Sequence, residues 1–344
     1  MVSMPPLPTT RFVGSKRRLV PWIWSLIRSL EFDSFLDAFG GTGVVGYHAK
    51  IHGKQVFYND ILKFNYQIGL AIIENSSVRL SEEDVEFILQ RHDGVEYPSF
   101  IQNTFRGLYY TDEENQWLDM VTKNISMIRN KYKRALAFAA LAQACLVKRP
   151  FNLFHRGNLR MRLRNVHRNF RNHHAWNKSF DQLFRRFVKE YNALVFCNGR
   201  ANRAYNLDVY ELDVEADLVY LDPPYTPRWG RAPDYQFYYH FLEGLVNYEQ
   251  WPEMIDWESP IRAIRRRPSP WLSRCRVREA FRRLFQKFQD AKYLVVSYRA
   301  EGVPSPTEIA QLLRECKAHV HVYSTTYKYV LSRRTSRELL FIAF

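Results

Sequence analysis

The stretch from Ser34 to Asp60 constrains the fold more than any other. Phe35–Phe39 is a short apolar run, FLDAF, that passes straight into Gly40-Gly41-Thr42-Gly43. Thr42 to Ile51 has helical character, Gly53 suits the end of that helix, and Gln55–Asp60 reads as a second strand. Strand, glycine loop, helix and strand in that order make a βαβ unit, which implies a parallel sheet.

The rest of the chain either extends that sheet or interrupts it. Leu19, Ile23, Leu26, Ile27 and Leu30 share one helical face, with Pro21 near the start where proline is tolerated. From Ser81 to about Ala204 the pattern is mostly helical and polar. Ser81 reads as an N-cap and Ala135–Val147 as a strong helix. The β pattern returns at Asp217–Leu221 and Tyr293–Tyr298. Ser305-Pro306-Thr307-Glu308 is a capping box that opens a helix running to about Cys316. His319–Val330 and Glu338–Ala343 read as a terminal strand pair. The expected fold is a doubly wound, mainly parallel α/β sheet of Rossmann-like type with one helical insertion.

Two motifs carry the chemistry. Gly41-Thr42-Gly43-Val44-Val45-Gly46 fits G-x-G-x-x-G between a strand and a helix, and Asp60 follows Gly41 by 19 residues. This suits an adenosine-bearing cofactor, with Asp60 on the ribose hydroxyls. Asp37, on the incoming strand, would repel a pyrophosphate. It favours a cofactor with a cationic end, such as S-adenosyl-L-methionine. The plainer reading of Asp37 is a carboxylate that caps nearby backbone amides.

The second motif is Asp222-Pro223-Pro224-Tyr225, which closes the apolar run ADLVYL. A ring amine is a poor nucleophile because its lone pair is delocalised. Two acceptors aimed at its hydrogens, the Asp222 carboxylate and the Pro223 carbonyl, would free that lone pair. The two prolines restrict the backbone and hold the carbonyl outward. Tyr225 offers a ring face for an extruded base. Together the motifs point to methyl transfer to an exocyclic amine. A tight turn after a strand is the structural alternative for Asp-Pro-Pro.

Charge points to the partner. The 344 residues carry a net charge of +15, so a polyanion is the first expectation. From Met120 to Phe180 there is no Asp or Glu, while 14 Lys and Arg occur, interleaved with Phe151, Phe154, Phe170 and Trp176. Lys148, Arg149, Arg156, Arg160, Arg162, Arg164, Arg168 and Arg171 are therefore candidate phosphate contacts. A second basic block, Arg262–Arg283, contains Arg265, Arg266 and Arg267. It reads as a further backbone contact, a flexible loop that orders on the polyanion.

The four cysteines, Cys145, Cys197, Cys275 and Cys316, share no CxxC spacing, which disfavours a disulfide framework and a zinc site. No metal is expected. The longest apolar stretch is too short to span a bilayer. A cytoplasmic protein with no membrane partner is expected.

These residues resemble the amino-group DNA methyltransferases, and most closely the DNA adenine-N6 methyltransferases of the D12-type adenine methylase family. Arg11–Lys16, RFVGSK, looks like the amino-terminal cofactor motif, in which Phe12 and Lys16 would line the S-adenosylmethionine pocket. FLDAFGGTG looks like the FxGxG loop through Phe39, Gly41 and Gly43. Asp60 matches the ribose-binding acid, Asp208 in Asn206-Leu207-Asp208 the acid near the cofactor adenine, and Asp222–Tyr225 the catalytic tetrapeptide. Ser297-Tyr298 with Glu301-Gly302 resembles a motif beside the target-base pocket. The amino-terminal motif departs from the family by having Gly14-Ser15 before Lys16.

The resemblance implies a site-specific enzyme that flips an adenine out of double-stranded DNA in a prokaryotic cell, with a separate cognate restriction endonuclease as a possible partner. It also implies a catalytic part from 1–80 and 205–344, with 81–204 as the basic target-recognition insertion. A cytosine-N4 or RNA amino-methyltransferase would use the same chemistry. A non-catalytic DNA-binding homologue would keep both motifs without using them. A nicotinamide dehydrogenase would leave the tetrapeptide unexplained.

Overall fold

The computed structural model describes residues 7–8, 12–150, 153–164, 173–327 and 336–344. The chain divides into two compact units, each drawn from separated stretches. A sheet unit holds Val13–Gly69, Cys197–Asp234 and Arg267–Phe344. A helical unit holds Leu70–Phe196 and Tyr235–Arg266 together with Phe12.

The strands of the sheet unit are β1 Ser34–Asp37, β2 Gln55–Asn59, β3 Arg203–Tyr205, β4 Leu218–Leu221, β5 Thr226–Pro227, β6 Tyr293–Arg299, β7 Gly302–Val303, β8 Val320–Tyr327 and β9 Ser336–Ala343. Seven of them form one sheet in the order β3-β2-β1-β4-β6-β9-β8, and β5 pairs with β7 separately. The β3-β2-β1-β4-β6 portion is parallel. β9 runs antiparallel to both β6 and β8. The fold is therefore the mainly parallel, doubly wound α/β sheet expected from sequence.

A parallel strand covered on both faces must be apolar throughout, and all four residues of β4 are buried. The chain winds outward from β1 through β2 to β3, then returns to place β4 on the other side of β1. That reversal is a topological switch point, where open α/β sheets bind their ligands.

Local signals account for the helices around this sheet. Val44–Ile51 starts from Gly43, whose φ of +70° is left-handed and favours glycine. Pro306–Arg314 carries the expected capping box between Ser305 and Glu308. The first helix is shorter than its apolar pattern suggested, Val20–Ile27, with the proline at its amino-terminal turn. Basic residues after Arg276 belong to no flexible loop. Val277–Lys287 is an amphipathic helix whose Val277, Ala280, Phe281, Leu284 and Phe285 pack in the same core as Leu36, Val219 and Val296. The arginines occupy the outer face of that helix, which is why the charge run alone read as a loop.

The helical unit is built around Lys131–Lys148, buried almost continuously from Ala135 to Leu146. Tyr235–Arg266, which follows the tetrapeptide in sequence, packs into this unit through its aromatic residues. Phe241 lies 5.1 Å from Phe105, 5.5 Å from Tyr109 and 5.1 Å from Phe154, ring to ring. Trp251 lies 5.0 Å from Phe105. Gly244 admits this packing, because a Cβ there would fall 1.8 Å from the Trp251 ring. Truncating such a buried ring costs about 3–5 kcal/mol, so these contacts fix where the segment belongs.

Candidate active site

β1 and β4 are hydrogen-bonded neighbours, with Asp37 in register with Tyr220. Just beyond them, the Ala38 amide donates to the Tyr220 carbonyl at 3.2 Å. The glycine loop and the tetrapeptide therefore leave adjacent parallel strands at the same end.

The loop is held by the acids expected to serve a cofactor. Asp60 accepts hydrogen bonds from the Gly41 amide at 2.8 Å, the Leu62 amide at 2.8 Å and the Asn65 side-chain amide at 3.1 Å. Burial raises its carboxyl to about 6, against the opposing pull of those donors. Asp37 is buried and accepts the Gly46 amide at 2.9 Å. Burial raises it to about 7; the Gly46 amide opposes this, while Asp222 and Asp60 add to it.

Gly40, outside the G-x-G-x-x-G register, has its own requirement. A Cβ there would sit 2.0 Å from the Tyr58 ring. The Tyr58 hydroxyl lies 2.7 Å from the Gly41 carbonyl and 3.0 Å from that of Asn65. Tyr58 is thus a strut beneath the loop that sequence reasoning did not find. Gly41 itself has φ +51°.

The tetrapeptide sits in a polar network. Lys16 is buried, and its Nζ donates to Asp222 Oδ1 at 2.8 Å and to the Tyr225 hydroxyl at 2.7 Å. The Tyr225 hydroxyl lies 2.7 Å from Asp222 Oδ1 and 2.9 Å from Glu338 Oε1. Glu338 Oε1 also accepts from Ser297 Oγ at 2.8 Å and stands 3.4 Å from Lys16 Nζ.

Burial alone would lower the Lys16 pKa, but Asp222 and Glu338 outweigh it and hold the ammonium above its usual value. Burial raises the Asp222 carboxyl; Lys16 opposes the shift, Glu338 reinforces it, and the net direction is upward. Both side-chain hydrogen bonds of Asp222 among the described residues fall on Oδ1 and none on Oδ2.

Each of the other expected cofactor residues has its own surroundings. Phe39 is half-buried and meets Trp271 edge-on, with ring centroids 5.6 Å apart. Asp208 is exposed and caps the Tyr210 amide at 3.0 Å. Phe12 belongs to the helical unit, buried with its ring 4.2 Å from that of Tyr239 and 7° from parallel.

The basic residues separate into two groups. Arg156, Arg160 and Arg164 are exposed, and so are Arg265, Arg266 and Arg267. Lys148, Arg149 and Arg162 are not surface cations. Arg162 makes a two-pronged pair with Glu114 at 2.6 and 2.7 Å, and Lys148 meets the same carboxylate at 2.8 Å. Arg149 is 1% exposed and lies over the Phe154 ring at 4.5 Å. The structure thus holds these three inside the helical unit, Lys148 and Arg162 on Glu114 and Arg149 against an aromatic ring. The counter-acid of Lys148 and Arg162, Glu114, precedes the acid-free stretch, so the charge run alone did not show it. Arg168, Arg171, Phe151 and Phe170 lie outside the described residues. His240 is a structural residue: it is buried, 3.1 Å from the Tyr109 hydroxyl, and lowered to about 3 by burial and by Arg149.

No helix among the described residues is long and apolar enough to cross a membrane. Among those residues no group of three or more His, Cys, Asp or Glu is placed to hold a metal ion.

Comparison with known proteins agrees with this geometry. The D12 class N6 adenine-specific DNA methyltransferase family matches residues 12–245. The type II methyltransferase M2.HphI of Haemophilus parahaemolyticus is 30% identical, over 98% of each chain. M.FokI of Planomicrobium okeanokoites is 27% identical over 88% of this chain, which spans 46% of that longer protein. M.NlaIII of Neisseria lactamica is 24% identical over 88% of this chain and 86% of its own. With the two motifs side by side at the switch point and a match over most of its length, the chain belongs to the D12 class N6 adenine-specific DNA methyltransferases.

Proposed function

We propose that this enzyme transfers a methyl group from S-adenosyl-L-methionine to the N6 amine of an adenine flipped out of double-stranded DNA at a specific sequence. The observation that carries this reading is the adjacency of β1 and β4, whose ends carry the glycine loop and the tetrapeptide. The residues suit that donor. Two buried carboxylates beside the loop, Asp37 and Asp60, favour a cationic group over a pyrophosphate. When bound, the donor supplies a methyl carbon activated by its sulfonium.

The chain's own contribution is electrostatic and geometric. Asp222 Oδ2 accepts one hydrogen of the adenine amine, and the rigid Pro223 carbonyl accepts the other. The nitrogen lone pair is then no longer shared with the ring. Pro224 restrains the turn, and the Tyr225 ring stacks on the base. Once methylated, the nitrogen must shed a proton. The raised carboxyl of Asp222 makes it a competent acceptor.

Arg156, Arg160 and Arg164, with Arg265–Arg267, are proposed to contact the DNA backbone; exposure supports this role for them and not for Lys148, Arg149 or Arg162. In this reading residues 81–204 supply target recognition. The relatives are named as type II methyltransferases, which supports a protective role beside a separate restriction endonuclease.

Methylation-aware sequencing of DNA from cells expressing the chain tests the proposal. N6-methyladenine should appear at one recurring sequence. N4-methylcytosine, or no DNA methylation at all, would overturn it.

A further inference from the structure

We propose that Glu338, a residue outside every recognised motif, is a positioning residue for the transfer: through the Tyr225 hydroxyl and the Lys16 ammonium it fixes Asp222 Oδ1 and leaves Oδ2 to the target amine. This rests on the reading of Asp222 as the amine acceptor.

Glu338 begins the apolar run of β9, where Leu339 to Ala343 are all buried. Its own side chain has no exposed surface. An ionised carboxylate in such a place costs several kcal/mol of desolvation, and a well-packed apolar residue of similar size is often no worse for stability. Stability therefore gives no reason for an acid at this point of the strand. Its contacts do. Glu338 Oε1 is 2.9 Å from the Tyr225 hydroxyl, 2.8 Å from Ser297 Oγ and 3.4 Å from Lys16 Nζ.

Charge balance explains what these contacts accomplish. Lys16 and Asp222 alone form a neutral pair, in which the ammonium would drain the carboxylate's power to accept a hydrogen bond. Glu338 offers Lys16 a second anion and returns the group to a net negative charge. The phenol of Tyr225 has one proton to donate, lies between the two carboxylates, and receives a hydrogen bond from Lys16. The Asp222 carboxylate is thereby held in one rotation. Ser297, on the neighbouring strand β6, holds Glu338 in turn.

The test is steady-state kinetics of Glu338→Gln, which keeps the shape and one acceptor but removes the charge, with Asp222→Ala measured in parallel. Glu338→Gln should lower kcat by about 10–100-fold, the worth of a hydrogen bond to a charged group. The KM values for DNA and for S-adenosylmethionine should not change, nor should the fluorescence of 2-aminopurine at the target position. Glu338→Ala should be worse than Gln.

Wild-type kcat in Glu338→Gln would overturn the proposal, as would a loss carried by KM or by a lowered melting temperature. If Glu338→Gln does not fold, Ser297→Ala carries the test. It should lower kcat by about 3–10-fold, the worth of one hydrogen bond, at unchanged KM; wild-type kcat would overturn the proposal. The reading of the site fails separately, if Asp222→Ala retains turnover.

Discussion

In the sheet unit the buried acids Asp37, Asp60 and Glu338 lie in one site with the partly exposed Asp222, set against Lys16. In the helical unit, buried Lys148 and Arg162 share Glu114, and Arg149 lies buried over an aromatic ring. The two arrangements do opposite work. Burial holds three of the acids, Asp37, Asp60 and Asp222, above the usual carboxylate range, so they are poised to take hydrogen bonds or protons. Burial also pushes Glu114 upward, but Arg162 and Lys148 outweigh it and bring the net shift down. Among the described residues, the first cluster leaves Asp222 Oδ2 without a side-chain hydrogen bond. In the second the Glu114 carboxylate is fully engaged, since it also caps the Thr111 amide at 3.0 Å. A buried carboxylate therefore suits a reactive site only where some of its accepting capacity is left over.

The largest effect should come from Asp222→Ala. Turnover should fall by at least about 10³-fold, beyond the loss of a single stabilising donor elsewhere, while DNA binding in a gel-shift titration stays close to wild type. Retained turnover would remove the basis for calling the acidic cluster reactive. Next is Glu114→Ala, which strands Lys148 and Arg162 inside the helical unit. Breaking a buried pair this way costs about 3–5 kcal/mol, so a thermal melt should show a clear loss of stability. An unchanged melt would mean that Glu114 is not what holds the two cations in place.

The two clusters should also respond to pH in opposite directions. The folded carboxyl of Asp37 is raised to about 7. Its contribution to stability is complete below the ordinary Asp value and is lost as pH rises through about 7. Asp37→Asn should flatten that part of the curve. Glu114 is shifted down, so its contribution is present above its unfolded value and disappears as pH falls through the folded one. Denaturant melts from about pH 3 to about pH 8 read both windows.

Tyr225 sharpens the contrast within the acidic cluster. Removing its hydroxyl loses contacts to Lys16, Asp222 and Glu338, so Tyr225→Phe should cost about tenfold in kcat, near the value of one charge-assisted hydrogen bond. Tyr225→Ala should cost more, since the stacking face goes too. Equal losses would assign the whole effect to the hydroxyl. The smallest effect should come from single Ala substitutions at Arg156, Arg160 or Arg164. Each should weaken DNA binding modestly and reduce the salt slope of log K by about 0.9 per lost phosphate contact, without altering kcat at saturating DNA.

Much of the chemistry was legible in the chain. Local rules wrote the βαβ unit, the left-handed Gly43, the capping box at Ser305 and the fully apolar β4, because each depends on residues a few positions apart. Lys16 and Asp222 were each readable as motif residues. Their contact was not, since 206 positions separate them. Glu338 was invisible for the same reason: one acid at the head of an apolar strand reads as a strand end. Within the acid-free basic stretch the internal cations could not be told from the exposed ones, because the charge run does not show that Glu114 lies beside Lys148 and Arg162.

The sequence by itself determined the fold class and the kind of reaction, since alternation, turn residues and short motifs act over distances that the chain encodes locally. The tertiary structure alone decided which charges face a ligand and which are spent inside. Solvation and ion pairing depend on what surrounds a side chain in space, and for Lys16, Glu114, Asp222 and Glu338 those surroundings come from distant parts of the chain.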